Sequence, residues 1–181
     1  MITILAIDQS MTGSGVCVLE HMPHAGGGIG PSEITHIEVI RTSKVLDDFV
    51  LDTHARASFI GKRLVEIIEM TKPDFIVFET PSLASKGNAT RTLPMLLGSL
   101  LAQMKDYLAK EDVKLFTVPP TSLKKFATGK GNCDKDAMVE AIREHDTEYY
   151  EGLIAIPKSK GRYDLADAYW LSQWVLHNEL D

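Results

Sequence analysis

The sequence predicts a mixed α/β fold in which helices cover a five-stranded sheet. Three apolar, strand-like segments follow one another at the start of the chain, and two shorter ones come later, each after an amphipathic helix pattern. Strands joined by short links pair as antiparallel hairpins, whereas strands joined through a helix pair in parallel. We therefore expect three antiparallel strands followed by two parallel ones. At 181 residues, the chain fits a single domain over 1–181.

The first strand is predicted over Ile2 to Asp8. Its apolar residues are nearly continuous, which is typical of a strand buried on both faces. It ends at a carboxylate, and an unpaired carboxylate is costly to bury, so Asp8 is expected to have a binding partner. Gly13 and Gly15 follow, and we interpret them as permitting a tight turn into a second strand at Val16 to Leu19.

The remaining elements follow from the spacing of apolar residues. After a glycine-rich connection over His21 to Pro31, the segment EITHIEVIRT predicts the third strand. Helical spacing predicts helices at about 52–71 and 97–108, and the strands DFIVFE and VKLFTV follow them. Further helices are predicted at 121–127, 134–145 and about 164–177. The last is apolar nearly all round and should pack on the sheet, whereas 148–162 is interpreted as irregular.

Composition narrows the functional classes. The chain is 44% hydrophobic and 24% charged, which is ordinary for a globular protein. No apolar run reaches the roughly 18 residues of a membrane span, so we expect no membrane partner and a cytoplasmic location. The two cysteines, Cys17 and Cys133, lack the spacing of metal ligands, and we expect two reduced thiols.

The charge distribution indicates a polyanion partner at one face only. The net charge of −6 argues against a protein that coats nucleic acid by bulk charge. Basic residues nevertheless cluster in two stretches near the end of the chain, and such local clusters are typical of a nucleic-acid contact. We predict that this polyanion contact is made by Lys124, Lys125, Lys130 and Lys135, together with Lys158, Lys160 and Arg162.

Four carboxylates are predicted to meet at one edge of the sheet. A parallel crossover makes Asp8 and Glu79 neighbours at the carboxyl ends of adjacent strands. Asp164 and Asp167 lie three residues apart at the start of the last helix, where they share a face. Four such groups require cations, and hard oxygen ligands suit Mg²⁺ or Mn²⁺; two such ions roughly 4 Å apart support phosphodiester hydrolysis. The simpler alternative is that Asp164 caps the helix and Asp167 is a surface acid.

Four motifs of this sequence resemble, in order and spacing, the RuvC-type Holliday junction resolvases of the ribonuclease H-like superfamily. They are LAIDQSMTGSGVCV, IVFETP, SLKKFATGKGNCDKDAMVEAI and DLADAYWLS, and the resemblance extends from Ile2 to about Val175. It implies a ribonuclease H-like fold and matches the basic residues near the scissile phosphate to Lys124 and Lys135. The catalytic, metal-binding acids that it implies are Asp8, Glu79, Asp164 and Asp167.

The resemblance also implies an activity and an assembly. The expected protein is an endonuclease with two Mg²⁺ ions per active site that cuts branched DNA, above all four-way junctions, as a homodimer. The stretch from Leu93 to Leu108 is either a dimer helix or an ordinary core helix. A longer glycine-rich insertion, and the absence of an aromatic residue in Thr80 to Leu83 that could stack on an opened base, indicate a diverged or phage-type member.

Three other functions stay open at this stage. A nuclease of the same superfamily that acts on flapped DNA or structured RNA would carry the same acids. An actin-like kinase or ATPase also has a first strand that ends in an aspartate before a Gly/Thr-rich hairpin, although it needs a second such domain and a glycine pair for adenosine, for which 181 residues leave little room. A catalytically silent junction-binding module is the third, and the retention of all four acids argues against it.

Overall fold

The computed structural model describes residues 1–24, 30–81 and 89–180. The centre of the glycine-rich insertion and the segment that contains Ser82 and Leu83 lie outside the described residues. The strands are β1 (Ile2–Asp8), β2 (Gly13–His21), β3 (Ser32–Arg41), β4 (Phe75–Glu79) and β5 (Lys114–Val118). The helices are α1 (Phe49–Thr71), α2 (Ala89–Gln103), α3 (Lys105–Leu108), α4 (Pro120–Thr128), α5 (Lys135–His145), α6 (Thr147–Ala155) and α7 (Arg162–Glu179), and a 3₁₀ turn covers Lys158–Lys160.

The five strands form one mixed sheet in the order β3-β2-β1-β4-β5. β1 pairs antiparallel with β2, and β2 pairs antiparallel with β3. β1 also pairs in parallel with β4, and β4 pairs in parallel with β5. The prediction of three antiparallel strands followed by two parallel ones is therefore confirmed. Because β1 and β4 are adjacent and parallel, their carboxyl ends lie at the same edge of the sheet.

β1 is the central strand and is buried on both faces, as its apolar sequence predicts. Ile4 and Ala6 pack in the core cluster that includes α4 to α7, whereas Leu5 and Ile7 pack in the cluster formed with α1 and α2. All four side chains are fully buried. The alternation follows from the period of two residues along a strand. One apolar run thus serves two hydrophobic cores, and it holds the end of β1 firmly in place.

Gly13 and Gly15 have a different role from the predicted turn. Both lie inside β2, and neither has a positive φ angle. A Cβ atom on Gly15 would overlap the main-chain carbonyl group of Asp164 at the start of α7. The turn interpretation was therefore wrong: Gly15 is needed because the first turn of α7 lies directly against β2. This close packing brings the acids of α7 to the sheet.

The stretch 148–162 is predicted to be irregular, and this prediction is wrong: the stretch contains most of α6 and the 3₁₀ turn. The Asp146 carboxylate caps α6 by accepting a hydrogen bond from the Tyr149 main-chain N–H at 2.9 Å. Leu153 is buried, and the Tyr149 ring stacks on Tyr169 of α7 with ring centroids 4.6 Å apart. Tertiary packing on α7 thus stabilises a short helix whose sequence has a weak helical period.

The predicted helix at 97–108 consists of two helices, α2 and α3, and α2 begins earlier and contains Pro94. Leu96, Leu100 and Met104 are buried in the core formed with α1. This face therefore packs inside the protein, as the core-helix alternative predicts. Within the described ranges, no helix is long and apolar enough to cross a membrane.

Candidate active site

The four acids line one cavity of about 470 Å³ at the carboxyl edge of β1 and β4. Asp8 is the last residue of β1, and Glu79 is the last residue of β4. Asp164 and Asp167 lie in the first two turns of α7. Three elements that are far apart in sequence thus bring together the acids that the sequence analysis selected.

α7 carries its two acids within its first two turns and not at its N-cap. The N-cap of α7 is Gly161, so the alternative that Asp164 is merely the capping residue is wrong. The Asp164 carboxylate lies next to Gly13: a Cβ atom added to Gly13 would be 3.4 Å from Asp164 Oδ2. Asp167 is partly buried and lies one turn further along the same face. It is therefore not a fully exposed surface acid.

The carboxylates strongly influence one another's ionisation. Burial raises the pKa of Asp8 well above its usual value, and the negative charges of Asp167, Glu79 and Asp164 raise it further. Burial, with the charge of Asp167, raises the pKa of Glu79 to about 7. Burial also raises the pKa of Asp167 to about 6 and raises that of Asp164. Ionising all four acids in this cavity is therefore unfavourable without additional positive charge.

The donor set suits a hard divalent cation. Four carboxylates supply oxygen ligands of the kind that Mg²⁺ and Mn²⁺ prefer, and a dication would offset the repulsion that raises their pKa values. Among the described side chains, no three His, Cys, Asp or Glu residues already stand close enough together to form a complete ion site. The chemistry of the four acids thus fits a divalent cation, although their carboxylates do not form a complete coordination site in the described structure.

Two of the predicted basic residues, Lys124 and Lys135, line the same cavity. The Lys124 ammonium donates a hydrogen bond to the main-chain oxygen of Cys133 at 3.0 Å. The positive charge of Lys135 lowers the pKa of Asp8, Glu79, Asp164 and Asp167, so it acts on every acid of the site. Both lysines therefore lie where their ammonium groups could bind a phosphate placed next to the acids.

The other predicted basic residues lie outside the cavity and differ in their contacts. Lys158 forms an ion pair with Asp136 at 2.6 Å. The Arg162 guanidinium donates hydrogen bonds to the main-chain oxygens of Ile156 and Ile154, both at 2.7 Å. These two side chains are thus held by the protein itself. The remaining three, Lys125, Lys130 and Lys160, are exposed.

The loop between β1 and β2 forms one wall of the cavity and is held from several sides. Ser10 and Ser14 exchange hydrogen bonds, from the Ser10 N–H to Ser14 Oγ at 3.1 Å and from Ser14 Oγ to the Ser10 carbonyl at 2.8 Å. Arg56 Nη2 donates a hydrogen bond to the Met11 carbonyl at 2.6 Å, and Arg56 Nη1 forms an ion pair with Asp52 Oδ2 at 3.3 Å. These contacts fix the backbone that directly follows Asp8.

Sequence reasoning missed one polar residue of this wall, Gln9. Its side chain lines the cavity, and its Nε2 donates to the Glu79 carbonyl at 2.5 Å. A glutamine has no charge, and its position next to Asp8 is the only feature in the sequence that could have suggested a role. The contact with β4 depends on a residue 70 positions away, so only the fold shows it.

The acid cavity is not the largest in the described part of the protein. A cavity of about 680 Å³ lies beside β3 and is lined by Glu20, Glu33 and Glu148 among others, and one of about 540 Å³ lies between α1 and α3. No lysine or arginine is among the residues that line the larger cavity. We therefore select the acid cavity as the candidate active site by its chemistry and not by its volume.

Sequence comparison alone does not place this chain, because no protein-family model and no curated protein sequence matches it. Solved structures do share its fold. Thermus thermophilus RuvC is 21% identical, with a TM-score of 0.67 over 94% of this chain and 91% of RuvC. The yeast mitochondrial Holliday junction resolvase Ydc2 is 15% identical, with a TM-score of 0.66 over 96% of this chain and 77% of Ydc2.

A viral protein extends the comparison. The fowlpox virus resolvase, solved as a complex with substrate Holliday junction DNA, is 13% identical, with a TM-score of 0.59 over 99% of this chain and the whole of that one. At these identities the similarity establishes the fold. The resemblance read from the motifs is confirmed at that level: the chain has the ribonuclease H-like fold of the RuvC-type Holliday junction resolvases.

Proposed function

We propose that this protein is a Mg²⁺-dependent endonuclease that hydrolyses phosphodiester bonds in branched DNA, with four-way junctions as its main substrate. The observation that carries the proposal is the convergence of Asp8, Glu79, Asp164 and Asp167 on one cavity beside two lysines. The fold supports it, because the resolvases that share this fold include one whose structure holds Holliday junction DNA.

Each acid has a part in the proposed site. Asp8, at the centre of the sheet edge, would hold divalent cations together with Glu79 and Asp167. Asp164 would complete the site and help to orient the attacking water. Bound Mg²⁺, or Mn²⁺ in its place, would supply the charge that activates this water and stabilises the leaving oxygen.

The protein's own residues position the substrate. Lys124 and Lys135 would hold phosphates next to the acids, and Lys125 and Lys130 would extend this contact along the backbone. Lys158, Lys160 and Arg162 would meet a neighbouring arm. Phosphate contacts fix orientation and carry no sequence information, so selectivity would come from the shape of the junction.

A panel of labelled substrates tests this proposal. Purified protein with Mg²⁺ is incubated with a four-way junction, flapped DNA, linear duplex and structured RNA of matched length. The proposal expects the junction to be cut fastest by a wide margin. Preferential cleavage of the flap or the RNA would assign the same acids to another substrate, and binding of the junction without cleavage of any substrate would identify a silent binding module.

We also propose that the protein works as a homodimer, because a junction presents two opposed strands. Leu96, Leu100 and Met104 are used in the internal core, so a partner would contact other surfaces. Leu46, just before α1, and Phe49 and Val50 at its start are 44%, 45% and 60% exposed, and exposed apolar side chains of this kind suit a contact with a partner. Sedimentation velocity should show that the parent protein is a dimer and that Phe49→Ser dissociates more readily. A parent protein that is monomeric at all concentrations would exclude the proposed homodimer.

A further inference from the structure

Gln9 connects the ends of the two strands that carry Asp8 and Glu79. Its side chain lines the acid cavity, is 5% exposed, and donates from Nε2 to the main-chain oxygen of Glu79 at 2.5 Å. A main-chain carbonyl oxygen only accepts hydrogen bonds, so the atom that faces it must be the amide nitrogen. This contact therefore fixes the direction in which the side-chain oxygen of Gln9 points.

That oxygen, Oε1, is buried and has no hydrogen-bond partner within the described part of the chain. Leaving a buried acceptor unpaired costs about 1–3 kcal/mol. Carboxylates that hold a cation are ionised and cannot donate a hydrogen bond, and neither Lys124, which donates to Cys133, nor Lys135 donates to Oε1. A donor must therefore come with whatever enters the cavity. The water molecules that Mg²⁺ usually retains are strong hydrogen-bond donors.

We infer that Gln9 is a positioning residue for the divalent cation of the acid site: Oε1 accepts a hydrogen bond from a water molecule carried by the cation, while Nε2 ties β1 to β4. The inference rests on the proposed function, because it takes cation binding by the four acids as given. A neutral acceptor suits this position, since a fifth carboxylate would add to the repulsion that already raises the pKa of Glu79 to about 7.

Calorimetric titration of the DNA-free protein with MgCl₂ tests this role without measuring catalysis. Gln9→Met keeps the length of the side chain but removes the acceptor and the donor. We expect it to bind Mg²⁺ about tenfold more weakly than the parent protein, the effect usual for a residue that orients metal ligands. The rise in melting temperature on adding Mg²⁺ should shrink in parallel.

Gln173→Met is the matched control. Gln173 is equally buried, at 5% exposed, and lies six residues beyond Asp167 in α7, outside the residues that line the acid cavity. Its substitution should leave the Mg²⁺ affinity unchanged. A purely structural role for Gln9 predicts the reverse pattern, in which Gln9→Met lowers the metal-free melting temperature and leaves Mg²⁺ affinity at the parent value. That result would overturn the inference.

A second variant, Gln9→Glu, separates the acceptor from the tie between strands and also serves if Gln9→Met does not fold. It retains an acceptor oxygen but cannot donate to the Glu79 carbonyl. We expect Mg²⁺ affinity at least equal to that of the parent protein; a loss comparable to that of Gln9→Met would rule out the acceptor role. If the parent protein binds Mg²⁺ and Gln9→Met binds it equally well, only this inference fails. If the parent protein binds no Mg²⁺, the proposed function fails with it.

Discussion

Glu79 is the acid whose ionisation reports most directly on the charge of the site. Its pKa is raised to about 7, first by burial and then by the negative charge of Asp167, while Lys135 and Lys124 offset part of this rise. The usual pKa of a glutamate is about 4.3, so the folded protein binds more protons than the unfolded chain between these values. The free energy of unfolding of the metal-free protein should therefore fall as pH rises from about 4.5 to about 7.

Glu79→Gln should reduce this pH dependence, to which the raised pKa values of Asp8 and Asp167 also contribute, and should stabilise the metal-free protein. At pH 8 the substitution removes a buried negative charge, and we expect a gain on the order of 1 kcal/mol, or about 2–4 °C in melting temperature. At pH 4.5 the parent glutamate is protonated, so the difference should nearly vanish. Thermal unfolding in EDTA across this pH range measures it.

Glu69→Gln in α1 provides the control, because Glu69 is exposed and outside the cavity. It should change the melting temperature little at either pH. A Glu79→Gln protein that is less stable than its parent at pH 8 would show that the carboxylate is satisfied without a cation, which contradicts the electrostatic account of the site.

At the scale of elements, the site depends on how closely α7 packs on β2. The main-chain carbonyl group of Asp164 occupies the space where a side chain at residue 15 would begin. Backbone atoms of a helix cannot move aside as a flexible side chain can. The distance between α7 and the sheet, and with it the placement of Asp164 and Asp167, is therefore set by a residue without a side chain.

Gly15→Ala should push the start of α7 away from the sheet. We expect a loss of about 1–3 kcal/mol in the free energy of unfolding, as for other overpacked sites, and a fall in cleavage rate on the order of 100-fold because the acids are displaced. Chemical denaturation and single-turnover cleavage measure the two effects.

The matched control is Gly152→Ala in α6, where a Cβ atom meets no other atom within 4 Å. This substitution should stabilise the protein by about 0.5–1 kcal/mol, since alanine favours a helix, and leave cleavage unchanged. If Gly15→Ala is as well tolerated as Gly152→Ala, the close packing of α7 on β2 does not determine the placement of the acids.

The elements that could be predicted are those whose signal is local. In both β1 and β4, an apolar run that ends in an acid predicts the strand, and the helix between them predicts their parallel pairing. α6 could not be placed, because its stability comes from the stacking of Tyr149 on Tyr169. The role of Gly15 was misjudged for a related reason: a glycine near a predicted hairpin suggests a turn, whereas its actual constraint comes from a helix about 150 residues later.

The whole molecule carries a net charge of −6, yet lysines lie at the acid cavity and along α4. The contribution of each to DNA binding depends on whether its charge is already paired within the protein. Lys130 is exposed, whereas Lys158 lies 2.6 Å from the Asp136 carboxylate. Because that carboxylate would also repel phosphate, we expect Lys158 to contribute less than Lys130.

Junction binding by Asp8→Asn, a substitution that we expect to prevent cleavage, should become less salt-dependent when Lys130→Gln is added. Each phosphate contact releases counterions, so the slope of log K against log salt concentration should shrink by about 0.9. Lys158→Gln should change the slope by clearly less. Titrations between 50 and 200 mM KCl measure both variants, and equal slopes for the two would refute the ranking.

We propose that the four acids form a metal-dependent centre that cuts branched DNA, and the direct test is cleavage of an end-labelled four-way junction by the parent protein and by Asp8→Asn. With Mg²⁺, the parent protein should cut the junction, whereas Asp8→Asn should cut at least about 100-fold more slowly despite a melting temperature no lower than the parent's. An intact junction after incubation with the parent protein and Mg²⁺, or an Asp8→Asn protein that cuts as fast as the parent, would contradict it.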